Sequence, residues 1–205
     1  GEYFAMGEFE ARHYVSSTND RNIHMPLDSD SFHGVFKLAE ETGLPFALHH
    51  EAEDALLPAL EKMLLLYPRA TVIWCHVGRN RDPKKWTTFP SPAGVRNFLQ
   101  KHPNLYFDIV QGGPGNLFPP TGARESILYE EADGPPRLKG EWIQLFNVFS
   151  DRFVIGSDVN TGRWDSYDKV MSRLRTAVLA VLEPAAAEKI AFKNAWRLMS
   201  GEAWR

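Results

Sequence analysis

"LPFALHH", residues 44–50, decides how the rest of the chain reads. Five mostly apolar residues run into His49 and His50, and Glu51 follows. A strand built for burial thus ends in three groups that bind metals or move protons. Either the strand turns polar because it reaches the surface, or it ends at a functional mouth, and the flanking segments discriminate. Upstream, "SFHGVFKLAEETG" (31–43) carries Phe32, Val35, Phe36 and Ala39 at i, i+3, i+4 and i+7, one apolar stripe of a helix. Asp30 or Ser31 can cap its start, and Gly43 with Pro45 ends it.

The alternation continues on both sides. A strand-like run covers 3–11, a polar loop 16–30, and strand 45–49 leads to a helix over 54–66 stopped by Pro68. Strand 70–77, helix 92–101 and strand 104–110 follow, then a loop rich in Gly, Pro and charge to about 138. A helix over 140–150, strand 152–158 and helices over 165–182 and 185–199 close the chain. Near-continuous apolar strands separated by helices predict a parallel sheet covered on both faces. The choice lies between a doubly wound open sheet and a (β/α)8 barrel. The doubly wound fold calls for a Gly-rich phosphate turn after its first strand. "GGPG" (112–115) follows a late strand without the G-x-G-x-x-G spacing and reads as a turn. Five strands are counted, in one α/β domain over 1–205, and both architectures stay open on this pattern alone.

Side chains alternate along strands. Phe46 and Leu48 share one face, Ala47 and His49 the other; Val72, Trp74 and His76 fall together; Tyr106, Asp108 and Val110 oppose Leu105, Phe107 and Ile109; Val154, Gly156 and Asp158 oppose Phe153 and Ile155. His49, His76, Asp108 and Asp158 then sit near the C-terminal ends of successive strands, where barrel active sites form. The first strand adds Glu8 and Glu10 on one face. Imidazoles and carboxylates converging on one mouth suit a Zn2+-type site holding an activated water.

Composition narrows the function classes. The 205 residues are 43% hydrophobic and 24% charged, as in globular proteins, and a chain this long buries roughly 70% of its unfolded surface. A net charge of −3 argues against a nucleic-acid partner. The single cysteine, Cys75, rules out an internal disulfide framework and fits a reducing, cytoplasmic setting. No apolar run approaches the ~20 residues of a membrane span, and no secretory signal is visible. "GRNRDPKKW" (78–86) overhangs the expected mouth, and Arg79 and Arg81 could clamp a substrate carboxylate. Trp86, Phe118 and Trp164 are candidates to line a pocket, with ordinary packing the plainer reading. Cys75 points away from His76 if the strand runs regularly, so the two form no dyad.

"MPLDSDSFHGVFKLAEETGLPFALHH" (25–50), "VIWCHVG" (72–78), "NLYFDIV" (104–110), "RFVIGSD" (152–158) and "KIAFKNAWRLM" (189–199) resemble, in order and spacing, the amidohydrolase-related family of metal-dependent (β/α)8 barrels. The resemblance covers almost the whole chain from residue 7. It implies that His49 is the fifth-strand metal ligand, that His76 is the sixth-strand histidine that handles water or substrate, and that Asp158 is the eighth-strand aspartate that binds metal and shuttles a proton. It also implies a divalent metal, zinc being the expected one. The chain departs from the family in having no H-x-H pair; His13, His24 and His33 are scattered. Mapped onto the family, it begins around the third or fourth strand, with three βα units, about 90 residues at ~30 per unit, unaccounted for. The resemblance thus implies a TIM-barrel-like fold, a partial barrel of about five parallel strands, which a preceding segment, a second chain or a copy of itself would complete. His49 and Asp158 alone are too few for a tight zinc site; Glu8, or His50 with Glu51, could add ligands.

These expectations converge on a metal-dependent hydrolase acting on a small molecule. The alternatives are a non-oxidative decarboxylase of an aromatic or unsaturated acid, which Arg79 would favour; a TatD-like phosphodiesterase, which "GEF" (7–9) resembles and in which Glu8 would bind metal; and a catalytically silent partial barrel.

Overall fold

The apolar runs pair side by side and point the same way. In the computed structural model, which describes residues 3–16, 19–130, 134–159 and 162–205, one sheet is built from β1 (Met6–His13), β2 (Ile23–His24), β3 (Phe46–His50), β4 (Val72–Trp74), β5 (Leu105–Asp108) and β8 (Phe153–Val154). Their order is β2-β1-β3-β4-β5-β8, with all neighbours parallel except the antiparallel pair β1–β2. These are the five parallel strands expected, forming an open arc of a barrel rather than a closed one.

Two rows of side chains organise the sheet. Phe9, Leu48, Trp74, Phe107 and Phe153 lie in register across all five parallel strands. The last four are essentially inaccessible to solvent and face the helices. Trp74 stacks on Phe89 at 4.9 Å and on Phe107 at 5.4 Å. Burying each such ring contributes about 1.5–3 kcal/mol. The opposite row, Glu8, Ala47, Ile73 and Tyr106, faces the inside of the arc.

Helices follow the strands as the apolar stripes demand. α1 (Asp30–Thr42) buries Phe32, Phe36 and Ala39 and ends at Gly43 in the left-handed region. α2 (Leu57–Leu66) buries Leu60, Met63 and Leu64. α3 (Pro92–Lys101) is capped by Ser91, whose hydroxyl accepts the Gly94 N–H at 3.0 Å. α4 (Gly140–Val148) precedes β8, and α5 (Tyr167–Arg173), α6 (Pro184–Glu188) and α7 (Asn194–Ser200) close the chain. No helix among the described residues is long and apolar enough to cross a membrane.

Several expected boundaries shift. The run at 70–77 is a strand only over 72–74, that at 104–110 only over 105–108, and that at 152–158 only over 153–154. Beyond those points the chain leaves the ladder to build the mouth. The helices expected over 165–182 and 185–199 are each interrupted by a π-helical stretch, Leu174–Val178 after α5 and Lys189–Lys193 between α6 and α7. The loop at 111–138 contains a small hairpin, β6 (Leu117–Phe118) with β7 (Ala123–Arg124).

Candidate metal centre and its cavity

Glu8 reaches the site through an irregularity in β1. Met6 pairs with Phe46 but Glu8 with Ala47, so one extra residue, Gly7, is inserted between them. Such a bulge re-aims the side chains after it. Met6 thus aligns with the helix-facing row and Glu8 with the inner one. Glu10 pairs with His49 and shares the inner face.

His49, next to the end of β3, is turned inward as alternation predicts and is 5% exposed. Its Nδ1 lies 3.1 Å from Glu8 Oε1, and its Nε2 3.3 Å from Arg81 Nη2 and 3.5 Å from Glu51 Oε1. Burial pulls its pKa down, but the carboxylates of Glu51 and Glu8 more than offset this and hold it above its ordinary value. Glu8 is correspondingly lowered, chiefly by its hydrogen bond with His49. The contact is a proton held between two basic atoms, and a metal ion would replace that proton. His50 faces the other way, against Trp74 at 5.9 Å, and neither ring nitrogen finds a hydrogen-bond partner. Burial drops its pKa to about 4, and it plays no part in the site.

His76 arrives by a route that alternation does not predict. Trp74 faces the helices, so on a regular strand His76 would follow it outward. Instead the chain turns left-handed at His76 (φ 60), Val77 (φ 54) and Gly78 (φ 62), which swings the imidazole inward. The expectation that Val72, Trp74 and His76 share a face is therefore corrected. So is the reading of Cys75 as turned away, since this buried thiol lies beside Asp108 and Glu8. Burial, followed by the charges of Asp108 and Glu8, pushes the thiol well above its ordinary range, so it is no nucleophile.

The His76 Nδ1 lies 3.0 Å from the carbonyl oxygen of Val110. A carbonyl only accepts, so Nδ1 carries the proton and Nε2 keeps its lone pair. Burial, then the charge of Arg79, holds His76 well below its ordinary pKa, which keeps it neutral. Its ring centroid is 4.9 Å from that of His49. One donor atom from each of Glu8, His49 and His76 lies within 4.8 Å of the other two. Two imidazole nitrogens and one carboxylate oxygen make a donor set that suits zinc.

Asp158 lies outside this trio. It lines the same cavity but is drawn to Arg163, whose Nη2 sits 3.2 Å from its Oδ1. Asp158, expected with His49 as a ligand, lines the cavity without joining the trio of Glu8, His49 and His76. The two arginines of the overhanging loop also separate. Arg81, 2% exposed, is committed to Glu51: Nη2 is 2.6 Å and Nε 2.7 Å from Oε1, and its backbone N–H reaches Oε2 at 2.7 Å. It is therefore not a free clamp. Burial raises the Glu51 carboxyl, but hydrogen bonding to His49 and the charges of Arg81 and Arg79 bring it down to about 2. Arg79 lines the cavity and its buried Nε has no hydrogen-bond partner. Burial draws its pKa below the ordinary value, against the pull of Glu51. Phe118 is buried beneath Arg81, 5.2 Å from its guanidinium carbon, and Trp164 is exposed, so neither lines the cavity.

The cavity holds about 750 Å3, within the usual range for small-molecule sites. Its walls carry Arg21, Arg79, Arg81, Arg163, Lys169 and Arg173. Arg173 and its partner Gln111 went unread in the sequence, because nothing local marks a helix residue that reaches back to a strand end. A family model described as amidohydrolase matches residues 5–199. The chain belongs to the amidohydrolase family.

No curated protein matches the amidohydrolase chain significantly. Among solved structures it is similar to an uncharacterized TIM-barrel protein from Bordetella bronchiseptica, at 18% identity and TM-score 0.54 over 86% of this chain and 52% of that one. It is also similar to a candidate 2-pyrone-4,6-dicarboxylic acid hydrolase from Pseudomonas putida, at 15% identity and TM-score 0.51 over 96% of this chain and 63% of that one. These likenesses show the TIM-barrel fold. The chain spans 52% and 63% of those two proteins, which agrees with the partial barrel.

Proposed function

We propose that the cavity is the active site of a metal-dependent hydrolase acting on a small molecule that bears an acid group. One observation carries the reading: donor atoms from β1, β3 and the turn after β4 converge within 4.8 Å at a cavity that also holds Arg79, whose buried Nε has no hydrogen-bond partner. Glu8, His49 and His76 would hold a divalent metal, zinc by the chemistry of the donor set. When bound, the metal supplies Lewis acidity and lowers the pKa of its water toward ~7.

The chain's own groups do the rest. Arg79, its Nε lacking a partner, offers a fork to a substrate carboxylate. Asp158, paired with Arg163 at the rim, is the carboxylate on the cavity wall that would accept the proton released by the attacking water. The same free Arg79 favours a second reading, non-oxidative decarboxylation, in which the carboxylate it anchors is the group lost. The lone buried cysteine and the absence of an internal disulfide fit a reducing, cytoplasmic setting.

Metal analysis by plasma mass spectrometry tests the core of this. About one zinc per chain is expected, lost in Glu8→Gln, His49→Ala and His76→Ala and kept in Asp158→Asn. A metal-free wild type, after incubation with zinc, would sink the proposal. CO2 release then separates decarboxylation from hydrolysis.

A further inference from the structure

We propose that Asp108 is the positioning residue for His76. The inference rests on the reading of His76 as a site residue, but its own evidence is the backbone. Three successive left-handed residues, His76, Val77 and Gly78, are required to turn the imidazole inward. For L-residues that region costs about 1–2 kcal/mol each, and β-branched Val77 is among the least suited to it. Such strain persists only where the surroundings over-determine it.

Asp108, at the end of β5, supplies that determination. Its Oδ1 accepts the N–H of His76 at 3.2 Å and the N–H of Val110 at 3.0 Å. Val110 in turn receives the His76 ring: its carbonyl takes the Nδ1–H at 3.0 Å. One carboxylate oxygen therefore ties down both the backbone of His76 and the residue that fixes its tautomer. The His76 carbonyl is held as well, by Gln111 Nε2 at 2.7 Å, and Gln111 is itself fixed by the Ser126 hydroxyl and the Ile127 N–H, each at 3.0 Å. The Asp108 side chain is only 14% exposed, and its Oδ1 is 3.9 Å from the His76 Nδ1, too far for a direct bond. Asp108 thus acts through the main chain. With this brace in place the unprotonated Nε2 is left for the trio; without it the turn can relax and the ring can exchange tautomers.

The test pairs Asp108→Ala with Asp108→Asn, which keeps an oxygen able to accept both N–H groups. The first readout is the pair of His76 ring nitrogens in 15N-histidine-labelled, metal-free protein at neutral pH, assigned with His76→Ala. The second is affinity for zinc alone, measured against a chromophoric chelator. Wild type and Asp108→Asn are expected to show a fixed Nδ1–H tautomer. Asp108→Ala is expected to show averaged or reversed ring signals and roughly 10–100-fold weaker zinc binding. An unchanged His76 ring in Asp108→Ala would overturn the proposal, whatever zinc does. If the wild type takes up no zinc, the metal reading falls and the ring signals alone decide the role of Asp108. If Asp108→Ala does not fold, Asp108→Ser, too short to reach both N–H groups, takes its place with the same two outcomes.

Discussion

Glu51→Ala removes the partner of a buried cation, and its cost can be worked from the contacts. Arg81 is 2% exposed and Glu51 1%, and three contacts of 2.6–2.7 Å join them. Breaking such a pair from one side leaves an uncompensated charge and costs about 3–5 kcal/mol. For a chain of this size each kcal/mol lowers Tm by about 2–4 °C, so a fall of roughly 6–20 °C is expected. The depressed carboxyl gives a second figure from the same contacts. The Glu51 carboxyl stands at about 2 in the folded protein against 4.5 unperturbed. Its folded pKa is depressed, so its contribution is fully present above pH 4.5 and is lost as pH falls from there toward about 2. The difference is worth roughly 3 kcal/mol at 1.36 kcal/mol per pH unit. Urea unfolding of wild type and variant, at neutral pH and at about pH 3, reads both quantities. The variant should start lower and lose less on acidification. A neutral-pH difference below about 1 kcal/mol, the range of exposed pairs, would refute the reasoning.

Three further outcomes are expected. Gly78→Ala should destabilise by about 2–4 kcal/mol in chemical unfolding, because a Cβ there would meet Phe89 Cε1 at 2.4 Å and the residue is left-handed. Stability should fall as pH drops from about 6.5 toward 4, because burial holds His13 and His50 near 4 and His76 well below its ordinary value, so the unfolded chain binds protons first. His49, held above 6.5, works in the opposite sense, its contribution being present below 6.5 and lost as pH rises through the folded value, and so does Asp108, which burial raises from 3.8 to about 7. Melting across that range should therefore show net acid destabilisation, reduced in His50→Phe. Zinc binding should release the proton shared by His49 and Glu8, so affinity should weaken on acidification, and calorimetry in buffers of different ionisation enthalpy should report the released proton.

Local sequence determined which segments are strands and which are helices, because apolar period and capping residues act over a few positions. It placed His49 inward and His50 outward, since β3 is regular to its end. It marked out the five parallel strands and the arc they form. What it could not show depends on partners far along the chain. Glu8 joins the site through a bulge defined only against β3. His76 turns inward through left-handed residues that hydrogen bonds from Asp108 and Gln111 hold in place. Arg79 and Arg81 are two residues apart and chemically alike. Only the tertiary structure gives Arg81 to Glu51 and leaves Arg79 in the cavity, because a buried charge is assigned by whichever opposite charge the fold brings within reach.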